Sequence, residues 1–152
     1  MELLVAATIV LSGLSAGGLM VGAVMGAPLT LALSKEQFAP LHRFMVGRMD
    51  RYMPSSIVLS ALANLALAGL VDTDPARVLF LAAGLLFLAV IGVSLTTIVP
   101  INAWVERLDP ASLPADWERV DPRRRWRDWN LVRTGLGVLA AVCHAAAVAS
   151  GL

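Results

Sequence analysis

Four stretches of this chain contain no charged residue: Leu3 to Leu33, Pro54 to Val71, Val78 to Val105 and Thr134 to Leu152. A helix needs about 20 apolar residues to cross a hydrocarbon core of about 30 Å. All four runs reach or approach that length. Hydrophobic residues make up 58% of the 152 positions, against roughly 45–50% in soluble domains. The expectation is an all-α fold: a four-transmembrane-helix bundle forming one domain over residues 1–152. Spans are expected near residues 3–32, 54–71, 76–101 and 131–150. Met1-Glu2 offers no basic segment and the first run is too long for a secretory signal, so it reads as a retained helix.

The formal charge of +1 conceals an asymmetry. Lys35, Arg43, Arg48 and Arg51 fall between the first and second spans. Arg107, Arg119, Arg123, Arg124, Arg125, Arg127 and Arg133 fall between or at the edges of the third and fourth, and only Arg77 lies on the other side. By the positive-inside rule both long loops face the cytoplasm and both termini face out. The protein is therefore expected to be integral and multi-pass. The arginines flanking the last span read mainly as topology and anionic-lipid contacts.

Local signals refine the bundle. In the first span Gly13 and Gly17, and Gly18, Gly22 and Gly26, are spaced by four. Small residues at that spacing let helix backbones approach closely in lipid. Intrachain packing is the main reading, with a homo-oligomer seam as its alternative. Pro28 should kink or end the helix. Ser34 with Gln37 has the form of a capping box opening an amphipathic cytoplasmic helix, on which Phe38, His42, Met45, Met49 and Tyr52 share a face. Pro75 suits a helix first turn after Asp74, as Pro122 does after Asp121. Near Pro100, threonine hydroxyls are placed to satisfy the carbonyl that the proline frees.

The last helix carries the most informative pattern. Trp126, Asn130, Arg133, Gly137, Ala140 and His144 step by three and four, which makes one stripe. Its small residues suit a helix contact, so the stripe should face the interior and aim Trp126, Asn130 and Arg133 at the inner mouth of the bundle. The first part of this helix is expected to protrude into the cytoplasm. Arg133 needs an ion partner or a polar cavity at that depth; Asp50, Glu106 and Asp128 are the candidate partners. Trp129 fits an interfacial aromatic belt. Asn102 either caps the end of the third span or joins the site. His42 is a satisfied core residue, a general base, or, with Met45 and Met49, part of a soft copper(I) site. Cys143 is alone, so no disulfide framework or zinc pattern exists. Nothing resembles a Ser–His–Asp array, a phosphate-cradling loop or a nucleic-acid surface.

Taken together, the Gly-rich first span, "HRFMVGRMDRYMP", "TTIVPIN" and above all "RRRWRDWNLVRTGLG" resemble the anthrone oxygenase-like family of small four-helix membrane proteins. The resemblance covers nearly the whole chain. It implies oxidation of a flat phenolic, polyketide-like substrate with dioxygen as co-substrate and no cofactor, at the cytoplasmic membrane face. Under that implication His42 acts as the base, Arg133 stabilises the anion with Asn102 and Asn130, and Trp126, Phe38, Tyr52 and Arg48 contact substrate. The partners implied are membrane lipid and an apolar aromatic small molecule, with no nucleic acid. Two other classes remain open: a non-enzymatic membrane subunit or lipid-binding protein, and a carrier or channel. No span places an acidic residue at its middle, which argues against the last.

Overall fold

The fold was analysed in a computed structural model that describes residues 1–150. The described residues form helices and turns with no strand. Four helical stretches are long and apolar enough to cross a membrane: Glu2–Ala32, Met53–Leu70, Asp74–Glu106 and Trp117–Ala149. That set is compatible with a multi-pass membrane protein. We number the helices α1 (Glu2–Ala32), α2 (Lys35–Met49), α3 (Met53–Leu70), α4 (Asp74–Glu106), α5 (Trp117–Val120) and α6 (Arg123–Ala149). The long helices close a ring: α1 touches α3 and α6, and α4 touches the same two from the other side. Helix α6 begins well before its apolar run, as its proline start implied.

Both prolines within long helices are absorbed in the same manner. Pro28 and Pro100 cannot donate to the carbonyls of Val24 and Thr96, and their rings crowd those carbonyls. In each case the preceding turn widens into a π turn, Gly22–Gly26 in α1 and Ser94–Ile98 in α4. Ala27 N–H then reaches Gly22 O, and Val99 N–H reaches Ser94 O. Single-turn π segments of this sort concentrate at functional sites. In α4 the Ser94 hydroxyl donates to Val90 O (2.7 Å) and that of Thr96 to Gly92 O (2.7 Å). Both helices therefore continue past their prolines, and α1, which the sequence suggested would kink or end at Pro28, ends after Ala32.

The capping box at the start of α2 is present, with Gln37 N–H donating to Ser34 Oγ and Ser34 N–H to Gln37 Oε1, both 3.3 Å. The buried face of α2 comprises Phe38, Ala39 and His42. It packs on the end of α4 through Ile101 and Val105, joined by Trp117 of α5 and Trp126 of α6. Two arginines hold the exposed carbonyls that close α1 and α4. Arg123 donates to Leu33 O (2.9 Å) and Thr30 O (3.4 Å) while paired with Asp121, and Arg43 donates to Leu108 O and Val105 O. Cations complement a helix C-terminus both as donors and as charge. Arg123 is thus a structural strut, a role beyond the flanking charge expected of it.

Small residues separate into two groups. A side chain on Gly18 would run into Met53 and Tyr52, and one on Gly26 would meet Trp126. Gly13 and Gly17 face open space, so only part of the glycine pattern of α1 serves packing within the chain. Backbone as well as side chain approaches closely between α3 and α4. A Cβ on Gly84 would lie 2.7 Å from Leu65 side-chain atoms and 3.3 Å from its backbone nitrogen. Gly84→Leu is expected to cost about 1–3 kcal/mol or more through overpacking, whereas Gly17→Leu should leave stability at the parental value. Thermal unfolding of both variants in one detergent, followed by circular dichroism, checks this; equal melting of the two contradicts the assigned faces.

Candidate functional site

The buried residues of α6 are Trp126, Asn130, Thr134, Gly137, Ala140, His144 and Ala147. The stripe read from the sequence faces the interior, with one substitution. Thr134 takes the fully inward position, donating to Leu19 O at 3.0 Å, and Arg133 stands half-buried at its edge. That offset turns Arg133 toward a cavity of about 530 Å³ bounded by α1, α2, the start of α3, α4 and α6. Cavities that hold small organic ligands span roughly 300–1,000 Å³. Both π turns contribute to its wall, Gly22 and Gly26 from one and Ser94, Leu95 and Ile98 from the other. Met25, Met45, Met49 and Met53 make much of the rest apolar and deformable.

The polar wall is a connected network. Asn102 Oδ1 accepts the Trp126 indole N–H at 3.1 Å and lies 3.0 Å from His42 Nε2. An indole nitrogen only donates, so this oxygen is an acceptor and His42 Nε2 must carry the hydrogen. Asn130 Nδ2 donates to Trp126 O at 2.8 Å, which leaves its Oδ1 to accept from Arg133 Nε at 3.0 Å. Arg133 Nη1 reaches Ser94 Oγ at 3.4 Å. Among the described residues Arg133 enters no salt bridge; Asp128 pairs with Arg127 instead. Its guanidinium is aligned by neutral groups and presents its charge to the cavity.

The structure places the eight sequence-derived site residues in two sets. Asn102, Trp126, Asn130, Arg133 and Arg48 line the cavity. His42, Phe38 and Tyr52 are not among its lining residues. Phe38 is wholly buried in the core beneath, with its ring 5.2 Å from His42 and 6.2 Å from Trp117. Tyr52 is exposed beyond the end of α2, its hydroxyl 3.6 Å from Met49 Sδ. His42 lies behind the wall, 1% exposed, edge-on to Trp126 at 5.0 Å. Its Nδ1 has no hydrogen-bond partner. Burial drives its pKa down to about 4, against a smaller upward pull from the Asn102 hydrogen bond. At neutral pH it is an uncharged donor that holds the Asn102 carbonyl in place.

One lining residue gains a role that sequence spacing did not give it. Asp50 closes α2 and borders the cavity, the sole carboxylate among the lining residues. Although exposed at the rim, its carboxyl is raised above the ordinary value by partial burial, with the Arg133 charge opposing. From sequence it was visible only as one of three acidic partners for Arg133. Ser94, the hydroxyl partner of Arg133, carried no signal beyond its place in a polar end of the third span. Among the described residues no cluster of three or more His, Cys, Asp or Glu is gathered as a metal site.

The profile of the family described as anthrone oxygenase matches residues 42–143. The chain belongs to the anthrone oxygenase family. No curated protein and no solved structure matches it. The matched region begins at His42 and takes in Asp50, Asn102, Trp126, Asn130 and Arg133, so the cavity's entire polar wall lies within the family segment. Phe38 and α1 lie outside it.

The neutral state of His42 has a consequence for this anthrone oxygenase family member. Its folded pKa of about 4 lies below the ordinary 6.5, so between those values the unfolded chain binds the proton and the folded one does not. Stability from the buried neutral ring is complete above about pH 6.5 and is lost as pH falls toward 4, by about 3 kcal/mol. The measurement is unfolding free energy from pH 7 to 4 for the parent and for His42→Gln, which keeps a side-chain donor without a basic group. The parent's advantage should shrink across that window; a constant gap means that folding does not depress the pKa of His42.

Proposed function

We propose that this protein is a membrane oxygenase that converts a flat phenolic methylene compound of the anthrone type to the corresponding quinone with dioxygen. The observation that carries the reading is the Arg133 guanidinium, in no salt bridge among the described residues, on the wall of a largely apolar cavity. Buried charge at such depth calls for an anionic partner or a polar path. An anthrone supplies the partner, since losing one methylene proton gives a delocalised aryloxide. The overall reaction balances as methylene plus dioxygen giving carbonyl plus water. Family membership supports the same chemistry, while leaving the natural substrate open.

In this reading Arg133, aligned by Asn130 and Ser94, receives the aryloxide oxygen. Preaimed donors in a water-poor site are the strongest single source of rate in such reactions. Trp126 offers an aromatic edge beside the polycycle, with its orientation set by the Asn102 carbonyl. His42 is a positioning residue for that carbonyl. Arg48, at the rim, adds positive charge that favours an anion. The arginine-rich loops support a cavity at the cytoplasmic face, with both termini outside. Val21, Met25, Leu29, Leu95 and Val99 are cavity-lining residues that are also exposed. They give an apolar substrate a route from lipid.

The test is oxygen uptake by protein in lipid nanodiscs supplied with anthrone, with anthraquinone measured as product. Arg133→Ala should lower kcat by about 10²–10³-fold. Arg133→Lys should recover little of it, because a point-charge ammonium does not reproduce the planar donor fork. Tight anthrone binding with no oxygen uptake by the parent would reassign the protein as an apolar-ligand binder. Parental rates in Arg133→Ala would remove the cation from the chemistry.

A further inference from the structure

The chemistry just proposed needs a proton acceptor, and the cavity wall restricts the choice. Its titratable lining groups are Arg48, Asp50 and Arg133. Two of these are guanidinium groups, which have no acceptor. The segments from α1, α3 and α4 bring no titratable side chain to the wall, and α6 brings only Arg133. His42 is not among the lining residues, is 1% exposed and directs its Nε2–H at Asn102, with its ring packed edge-on against Trp126.

We infer that the Asp50 carboxylate, which borders the same cavity as the Arg133 guanidinium, is the general base that removes the substrate's methylene proton. The inference rests on the oxygenase reading for its substrate. The positions suit proton transfer, because an acceptor and an anion-holding cation border the same space on different elements, α2 and α6. A substrate seated between them has one end on each. Transfer breaks the methylene C–H bond, forms an O–H bond on Asp50, and leaves the electron pair delocalised onto the oxygen held by Arg133. The carbanion then adds dioxygen to give a peroxide anion, and protonated Asp50 returns its proton to make the hydroperoxide. The regenerated carboxylate removes the second methylene hydrogen as the O–O bond breaks. Hydroxide leaves, takes up that proton, and departs as water.

The surroundings favour this cycle. Partial burial raises the affinity of Asp50 for a proton, and the Arg133 charge opposes that rise. Arg48 and Arg51 flank it on its own segment. A base improves as its pKa approaches working pH. Removing the negative charge should also relieve repulsion of the aryloxide, so binding and turnover should respond in opposite directions.

The deciding experiment separates proton transfer from oxidation. Full-length parent, Asp50→Asn, Asp50→Glu and His42→Gln proteins in nanodiscs are given anthrone without oxygen in D₂O. Deuterium entering the methylene position is followed by mass spectrometry, and binding by quenching of tryptophan fluorescence. Asp50→Asn is expected to slow exchange by about 10²–10⁴-fold while binding anthrone at least as tightly as the parent, and Asp50→Glu to retain part of the rate. Exchange at the parental rate in Asp50→Asn overturns the inference, as does exchange abolished by His42→Gln and untouched at Asp50. Asp50→Asn is at an exposed position, and its melting temperature should match the parent's; loss of both binding and fold would make Asp50 structural. If exchange depends on Asp50 but the parent consumes no oxygen in air, the base stands and the oxygenase reading falls.

Discussion

A helix in apolar surroundings has to pair its own backbone, because no water is there to do so. Pro28 and Pro100 each break that requirement in the last turns of a long apolar helix, and the rest of the site follows from how the break is repaired. Widening the turn before each proline lets both helices continue without stranding a carbonyl. It also displaces the two segments that become opposite parts of the cavity wall. Gly22 and Gly26 expose a bare helix surface from α1, and Ser94 places a hydroxyl from α4 beside Arg133. Elsewhere in the bundle the interior is filled by side chains, Leu19 from α1, Phe87 and Val90 from α4 and Ala140 from α6.

The second dependence is on a single amide. Asn102 joins α4 to α2 through His42 and to α6 through Trp126, with both donors meeting one oxygen. A typical hydrogen bond contributes only about 0.5–1.5 kcal/mol net, but leaving a buried partner unmade costs about 1–3 kcal/mol. Loss of that carbonyl would orphan an indole N–H and an imidazole N–H together. The network therefore resists partial disruption, and the three elements that border the site are held in one arrangement. That rigidity matters because Asn130, and through it Arg133, hangs from the Trp126 carbonyl.

What the sequence made legible was what depends on periodicity and end signals. Four apolar runs matched four helices long and apolar enough to cross a membrane, Ser34 and Gln37 marked the capping box, and a 3–4 repeat marked the inward stripe of α6. Periodicity assigns residues to a shared face without saying which neighbour they meet. Phe38 and His42 share the buried face of α2, but that face is turned to α4 and α5 and not into the cavity. Likewise Arg133 sits one position from Thr134, and one residue of helix rotation decides which of them points at Leu19 and which at open space. The π turns were invisible because proline marks a break without specifying its repair. The basicity of His42 was misleading for a related reason: an imidazole's pKa is set by desolvation in the tertiary fold, which spacing does not encode.

An unpaired guanidinium raises the question of why selection for stability would leave it so. Placing Asp50 or Glu106 against it would neutralise the charge, yet its N–H groups donate to the neutral acceptors Asn130 Oδ1 and Ser94 Oγ, and Asp50 stays at the rim. Neutral acceptors orient the fork without cancelling its field. In a space walled by methionine and leucine the effective dielectric is low, so the remaining field acts on a ligand more strongly than it would in water. A preformed ion pair would have to be broken before any anion could bind, and the anion would gain only the difference. By aligning Arg133 with amide and hydroxyl groups, the bundle keeps nearly the whole of that interaction for whatever negative charge develops inside the cavity.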